Sequence, residues 1–216
     1  MSFLLPLLLV LVLAACVAFL YTDGMWSNAL RWINVTTAAL LATNFWEPLA
    51  RFLENNISQA FSYFWDFLAL WGTFCVVLLI LTLITGFASK VKVKFLGLAD
   101  RIGGLVFSLL VGWTMVCFTT MSLHTAPLAK NFLFGGFNPE KRMLLGIAAP
   151  DRQWLSFMER ASAGGFSHWG EPRVFDPGHQ FIPKYGERRA AFQAHLESSS
   201  GGMRDVLVSP SDVSNR

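Results

Sequence analysis

Three runs of this chain, residues 3–22, 67–88 and 103–123, hold no charged side chain at all. A hydrocarbon core takes roughly 17–25 mostly apolar residues to cross as a helix, and each run meets that length. A fourth stretch, "ALRWINVTTAALLATNFW" at 29–46, has the length but carries Arg31, Asn34 and Asn44. Arg31 lies near one end, where a long cationic side chain can snorkel to the interface. The runs therefore predict an all-α membrane protein with about four transmembrane helices.

The charge distribution sharpens this into an organisation. Residues 1–123 carry 11 charged side chains, whereas 124–216 carry 20, so an apolar body gives way to a polar tail near His124. With 54% hydrophobic residues and a mean hydropathy of +0.47, the chain is too apolar for a normally wetted globule. A net charge of +3 is too small to argue for nucleic acid. The reading divides the chain into a transmembrane unit at 1–123, a polar tail with short helices at 124–197 and a disordered terminus at 198–216.

Charge placement also orients the body. "SKVKVKFLGLADR", 89–101, alternates Val91, Val93 and Phe95 with Lys90, Lys92 and Lys94, which is the period of a half-buried strand but equally that of a cationic membrane edge. The apolar composition decides for the edge. Cytoplasmic loops retain Lys and Arg, so Lys90, Lys92, Lys94 and Arg101 place this loop inside, with Arg31 on the same side. The loop 47–66 has only Arg51. Four crossings then put both termini outside the cytoplasm. Lys130, Lys141 and Arg142, just after the last run, pull the other way.

Residues 47–67, "EPLARFLENNISQAFSYFWDF", space their apolar side chains at three and four, predicting an amphipathic helix. It either lies in the outer interface or packs on the spans. In the fourth run Gly104, Ser108 and Gly112 recur every four residues, a small face that admits a neighbouring backbone, either within the chain or from a second copy. Asp100 and Arg101 point about 100° apart on a helix and so seek different partners. Asp100 suits the start of the fourth span, where the helix dipole favours an anion.

"GLADRIGGLVFSLLVG", 97–112, resembles the motif of the colicin V production protein family (CvpA) of bacterial inner-membrane proteins, with Asp100, Arg101, Gly104, Phe107, Leu110 and Gly112 as the matching positions. The stretch led by Gly24, "DGMWSNALRWINVTTAALLATNFW", is similar to the family's turn into its second span. The chain departs where it has Asp23, Ser108 and Val111 at positions that the family fills with a basic residue, a Gly and another basic residue. The resemblance covers about 1–125. It implies a multi-pass protein of the bacterial inner membrane, linked to production or export of a toxin peptide, with the bilayer and other envelope or secretion proteins as partners.

The rest of the sequence offers little chemistry. "LAAC", ending at Cys16, looks like a lipoprotein box, but residues 1–15 lack the basic start of a signal peptide and the apolar run continues to Leu20, which fits a retained span. Cys16, Cys75 and Cys117 all fall in spans and read as packing residues. His168, His179 and His195 are too widely spaced for a persuasive metal site. The polar residues Asn34, Thr36, Thr37, Thr43 and Asn44 spread around the second span, and no intramembrane carboxylate stands out as a proton or cation site. In the tail, "PDRQWLSFMERAS" predicts a helix that Asp151 caps, and a second helix is expected at 186–197. The chain reads as a non-catalytic accessory or scaffold without a cofactor. The alternative is a subunit of an oligomeric channel or transporter.

Overall fold

The computed structural model describes residues 3–57, 62–89, 97–128, 137, 142–144, 146–164 and 174–208. Lys90, Lys92, Lys94, Phe61 and His168 lie outside them. Among the described residues six α-helices follow one another: α1 (Leu4–Leu20), α2 (Met25–Asn56), α3 (Ser62–Ala88), α4 (Gly97–Thr125), α5 (Pro150–Ala163) and α6 (Phe181–Val208), with one 3₁₀ turn, Tyr21–Asp23, after α1. Among the described residues there is no strand, only an isolated bridge between Leu144 and Ala148.

Among the described residues three helical stretches are long and apolar enough to cross a membrane: Leu4–Asp23, Tyr63–Ala88 and Gly97–Thr125. Their outer faces are apolar and unpacked, as lipid-facing surfaces are: Leu11 is 65% exposed, Leu79 62% and Phe87 74%. α2 lacks that overall hydropathy because it carries Arg31, Glu47, Arg51 and Glu54.

α2 and α4 form the middle of the bundle. On α2 an alanine stripe, Ala38, Ala39, Ala42 and Ala50, is buried and lets α3 and α4 approach closely. Aromatic packing fills the space at one end. Phe74 of α3 stacks on Phe118 of α4 at 4.7 Å, and Trp71 and Trp154 meet the same ring edge-on at 5.3 and 5.9 Å. Direction follows from the ends. The start of α2 touches the starts of α4 and the end of α3, since the Met25 N–H donates to Asp100 and Trp26 Nε1 donates to Ser89 Oγ. The opposite end gathers the start of α3, the end of α4, and α5 and α6.

The structure rearranges three expectations. The amphipathic stretch 47–67 is not a separate element: 47–56 forms the last turns of α2, and 62–67 the first of α3. Pro48 sits inside α2, its missing N–H costing one ladder bond. Asp151 stands in the first turn of α5 without capping it; the N-cap position is Ala149, and the carboxylate turns inward instead. The tail helix starts five residues before the expected 186 and runs past 197 to Val208. Its early start comes from Asp176, whose Oδ1 accepts the backbone N–H groups of Gln180 and Phe181 at 2.6 and 3.1 Å. Pro183 falls in the first turn, where it costs no intrahelical bond.

Candidate functional site

Two polar junctions hold the bundle, one at each end. The first is built on Gly24, whose φ of +79° is a left-handed conformation that glycine adopts freely. This sharp connection between α1 and α2 leaves the first N–H of α2 pointing at α4, where Asp100 Oδ1 accepts it at 2.9 Å. A Cβ at Gly24 would lie 2.9 Å from Asp100 Oδ2, so a side chain there would push on the carboxylate that accepts the Met25 N–H. Asp100 thus stands in the first turn of α4, as expected, and spends its carboxylate on the start of α2.

Gly104 completes the junction. The ideal Cβ position there is 3.4 Å from the Gly24 carbonyl carbon, so α4 runs directly against the turn. Asn28, fully buried, donates to the carbonyls of Leu20 and Gly104 at 2.7 and 3.1 Å, binding three segments with one amide. Arg31 pairs with Asp23. Gly24, Asp100 and Gly104, 76 residues apart from Asn28 at the farthest bond, therefore meet in one place.

The remaining predicted positions fall elsewhere. Arg101 is exposed. Ser108 is fully buried and its hydroxyl donates to the Leu105 carbonyl at 2.8 Å. Gly112 faces α1, where an added Cβ would come within 2.7 Å of Leu13 Cδ1 and 3.3 Å of the Leu13 carbonyl oxygen. Gly104 and Gly112 thus serve the Gly24 turn and α1 in the same chain, while Ser108 spends its hydroxyl within α4. Of the cysteines, Cys117 is buried and Cys16 half-buried, while Cys75 is exposed on the apolar surface and so is not a packing residue.

The second junction fastens the tail. His124 and Asp151 are 0% and 1% exposed, and their Nε2 and Oδ2 atoms share a hydrogen bond of 3.0 Å. Arg189 of α6 donates to the His124 carbonyl at 2.9 Å, and burial pushes its guanidinium pKa down. Nearby, Tyr185 donates its hydroxyl to Asp66 Oδ2 at 3.2 Å, and Arg188 pairs with the same carboxylate. Burial, then the Asp66 charge, push the Tyr185 phenol well above its usual range, so it stays a donor. Trp154 Nε1 donates to Thr43 Oγ1 at 3.2 Å, tying α5 to α2.

Sequence reasoning missed this second junction. His124 had marked only a boundary, and Asp66, near the start of α3, was not singled out as an intramembrane carboxylate. The signal was a carboxylate bracketed by aromatics in "YFWDF" at the head of an uncharged run. Among the described residues no group of three or more His, Cys, Asp or Glu is arranged to hold a metal ion. The His124–Asp151 pair is sealed from solvent, and in this arrangement its chemistry is that of a clasp.

These features define an integral membrane protein: an apolar-faced helical bundle with a polar tail docked on one end. The family model described as colicin V production protein matches residues 5–135, and the chain belongs to that family. The match contains α1 to α4 and the whole Gly24–Asp100–Gly104 junction; α5 and α6 lie beyond it. No curated protein and no solved structure matches the chain.

Proposed function

We propose that the chain is a non-catalytic accessory protein of the bacterial inner membrane, a scaffold connected, as the family's description has it, with colicin V production. The observation that carries this reading is the fixed attachment of α5 and α6. Buried polar contacts to α2, α3 and α4 hold them as a platform on one membrane side, and a rigid platform is what an assembly partner needs.

In this reading the bundle crosses four times. α1 ends and α2 begins at the Gly24 junction, while α3 begins at the His124 end; a chain with α1, α3 and α4 in the bilayer has to return through it, and α2 is the segment that does so. The charged residues of α2 fall toward its ends, as Arg31, Glu47, Arg51 and Glu54 show. The Gly24 end then faces the cytoplasm, with Arg31, Lys90, Lys92, Lys94 and Arg101 against Arg51 near the other end of α2. The platform and both termini lie outside.

In a cysteine-free background, a cysteine at Gly97 is expected to resist impermeant thiol labelling of intact cells while one at Asn56 reacts. Changing Lys90, Lys92 and Lys94 together to Gln leaves two basic residues against one and should yield a mixed orientation. Labelling in the reverse order refutes the assignment.

The scaffold role makes a separate prediction. A chain cut after Ala126 should still insert, yet toxin export should fall to the level of cells lacking the protein. The intact chain in proteoliposomes should pass no more solute than empty vesicles do. Full export by the cut chain removes the platform reading, and solute flux shifts it to an oligomeric channel.

A further inference from the structure

Beside α5, outside both junctions, the side chains of Arg142, Arg152 and Arg160 line one pocket of about 580 Å³. All three are exposed, and the described lining contains no carboxylate. Asp151, on the same helix, is turned away and bound to His124. The other acid of α5, Glu159, faces His179 at 3.9 Å. Among the described residues the charges of this concave surface are therefore of one sign, suited to an anion that guanidinium forks can grip.

This pocket does not stand alone. Gln153 and Phe157 line it and also line a second space of about 230 Å³ between α2 and α4, walled by Trp32, Leu110, Trp113 and Trp154. Leu110 and Phe157 are partly exposed on the bundle's apolar surface, so this groove opens toward lipid. Ile147, 76% exposed beside Arg142, adds an apolar side chain at the pocket's rim. A cationic pocket joined to an apolar groove in the membrane-spanning part has the two-part chemistry of one ligand class.

We propose that the chain binds an anionic phospholipid from the leaflet at the tail end, its phosphate among Arg142, Arg152 and Arg160 and an acyl chain along the groove between α2 and α4. A free phosphate would use the pocket but not the groove. A neutral lipid would use the groove without the arginines. Only a ligand with both parts accounts for their continuity through Gln153 and Phe157. The charge and hydrophobic contributions then act together, as they do where polybasic segments hold anionic lipid.

The test uses the full chain purified in neutral detergent, with lipid binding read by native mass spectrometry. Phosphatidylglycerol should bind in preference to phosphatidylcholine, and water-soluble glycerol phosphate at the same concentration should not displace it. The R142Q/R152Q/R160Q variant, altered only at exposed positions, should lose more than about tenfold in phosphatidylglycerol affinity, since each cation near lipid phosphate is worth about fivefold. Leu110→Trp, which fills the groove from its lipid side, should weaken both lipids alike while leaving the melting temperature near the parent's. An unchanged preference in the triple variant overturns the proposal. So does displacement by glycerol phosphate, which would mark a small-anion site, or full binding by Leu110→Trp, which would mark surface electrostatics alone.

Discussion

Asp151→Ala is expected to release α5 from the bundle while α1 to α4 stay inserted and α6 stays held through Asp66. Asp151 supplies the hydrogen-bond partner of His124 Nε2 in a place that water does not reach. His124 Nδ1 already has no hydrogen-bond partner among the described residues, so losing the carboxylate leaves the whole imidazole without one. An orphaned buried polar group of this kind costs about 3 kcal/mol, a large share of what holds one 14-residue helix in place. The second clasp, Tyr185 and Arg188 on Asp66, pins α6 only and cannot hold α5. Trypsin should therefore cut at Arg152 and Arg160 in the variant under conditions that spare the parent, and Trp154 emission should shift to the red. Asp151→Asn, which keeps a polar partner, should lose less. The double variant H124A/D151A should cost less than the two single changes added, because the pair leaves together. A variant as protease-resistant as the parent would show that the pair is not the clasp.

What the sequence made legible was the part written in one-dimensional patterns. Charge-free runs of helix length marked α1, α3 and α4, and four-residue spacing marked the small face of α4. The resemblance carried by Gly24, Asp100 and Gly104 likewise pointed to residues that the fold brings together. Why they meet was not readable: Asp100 reaches across 75 positions to the Met25 N–H, and no local rule pairs a carboxylate with a distant helix start. The local expectation, an anion favoured by the dipole of its own helix, agrees with where Asp100 stands, in the first turn of α4, and is silent on its bond to the start of α2.

The same distinction explains the misreading of Asp151 and of the stretch 47–67. Asp151 follows Pro150 at a helix start, where a cap is the usual use of an acid, but a buried histidine from α4 offers a better partner than an exposed N–H does. In 47–67 the apolar stripe was real, yet periodicity does not say where a chain reverses. α2 simply continues through Pro48 to Asn56, carrying the stripe with it. The alanine stripe of α2 was missed for another reason: alanine counts as apolar in a hydropathy reading, and its small size shows only once a neighbour is packed on it.

Size is also the basis of the last expectation. The double variant G104I/G112I should loosen the bundle without preventing its insertion. At Gly112 the added Cβ would meet the Leu13 carbonyl oxygen at 3.3 Å and Leu13 Cδ1 at 2.7 Å; the leucine can rotate, but the backbone cannot, and isoleucine branches at that very carbon. At Gly104 a Cβ would stand in ordinary contact with the Gly24 and Met25 backbones at 3.4–3.6 Å, and the two Cγ atoms that isoleucine adds beyond it press on the turn that sets Met25 against Asp100 and Asn28 against the Gly104 carbonyl. Overpacking of this kind costs about 1–3 kcal/mol at each site, and the sites are eight residues apart on α4 with different partners, so the costs should nearly add. Insertion is spared because isoleucine makes the span more apolar. Cysteine pairs set across α1 and α4, and across the turn and α4, should cross-link poorly in native membranes, while pairs between two copies of α4 keep the parent's yield. Losing the interchain cross-links instead would assign the small face to self-association. If every cross-link survives, the face is not a contact surface and the packing of Gly104 and Gly112 described here is wrong.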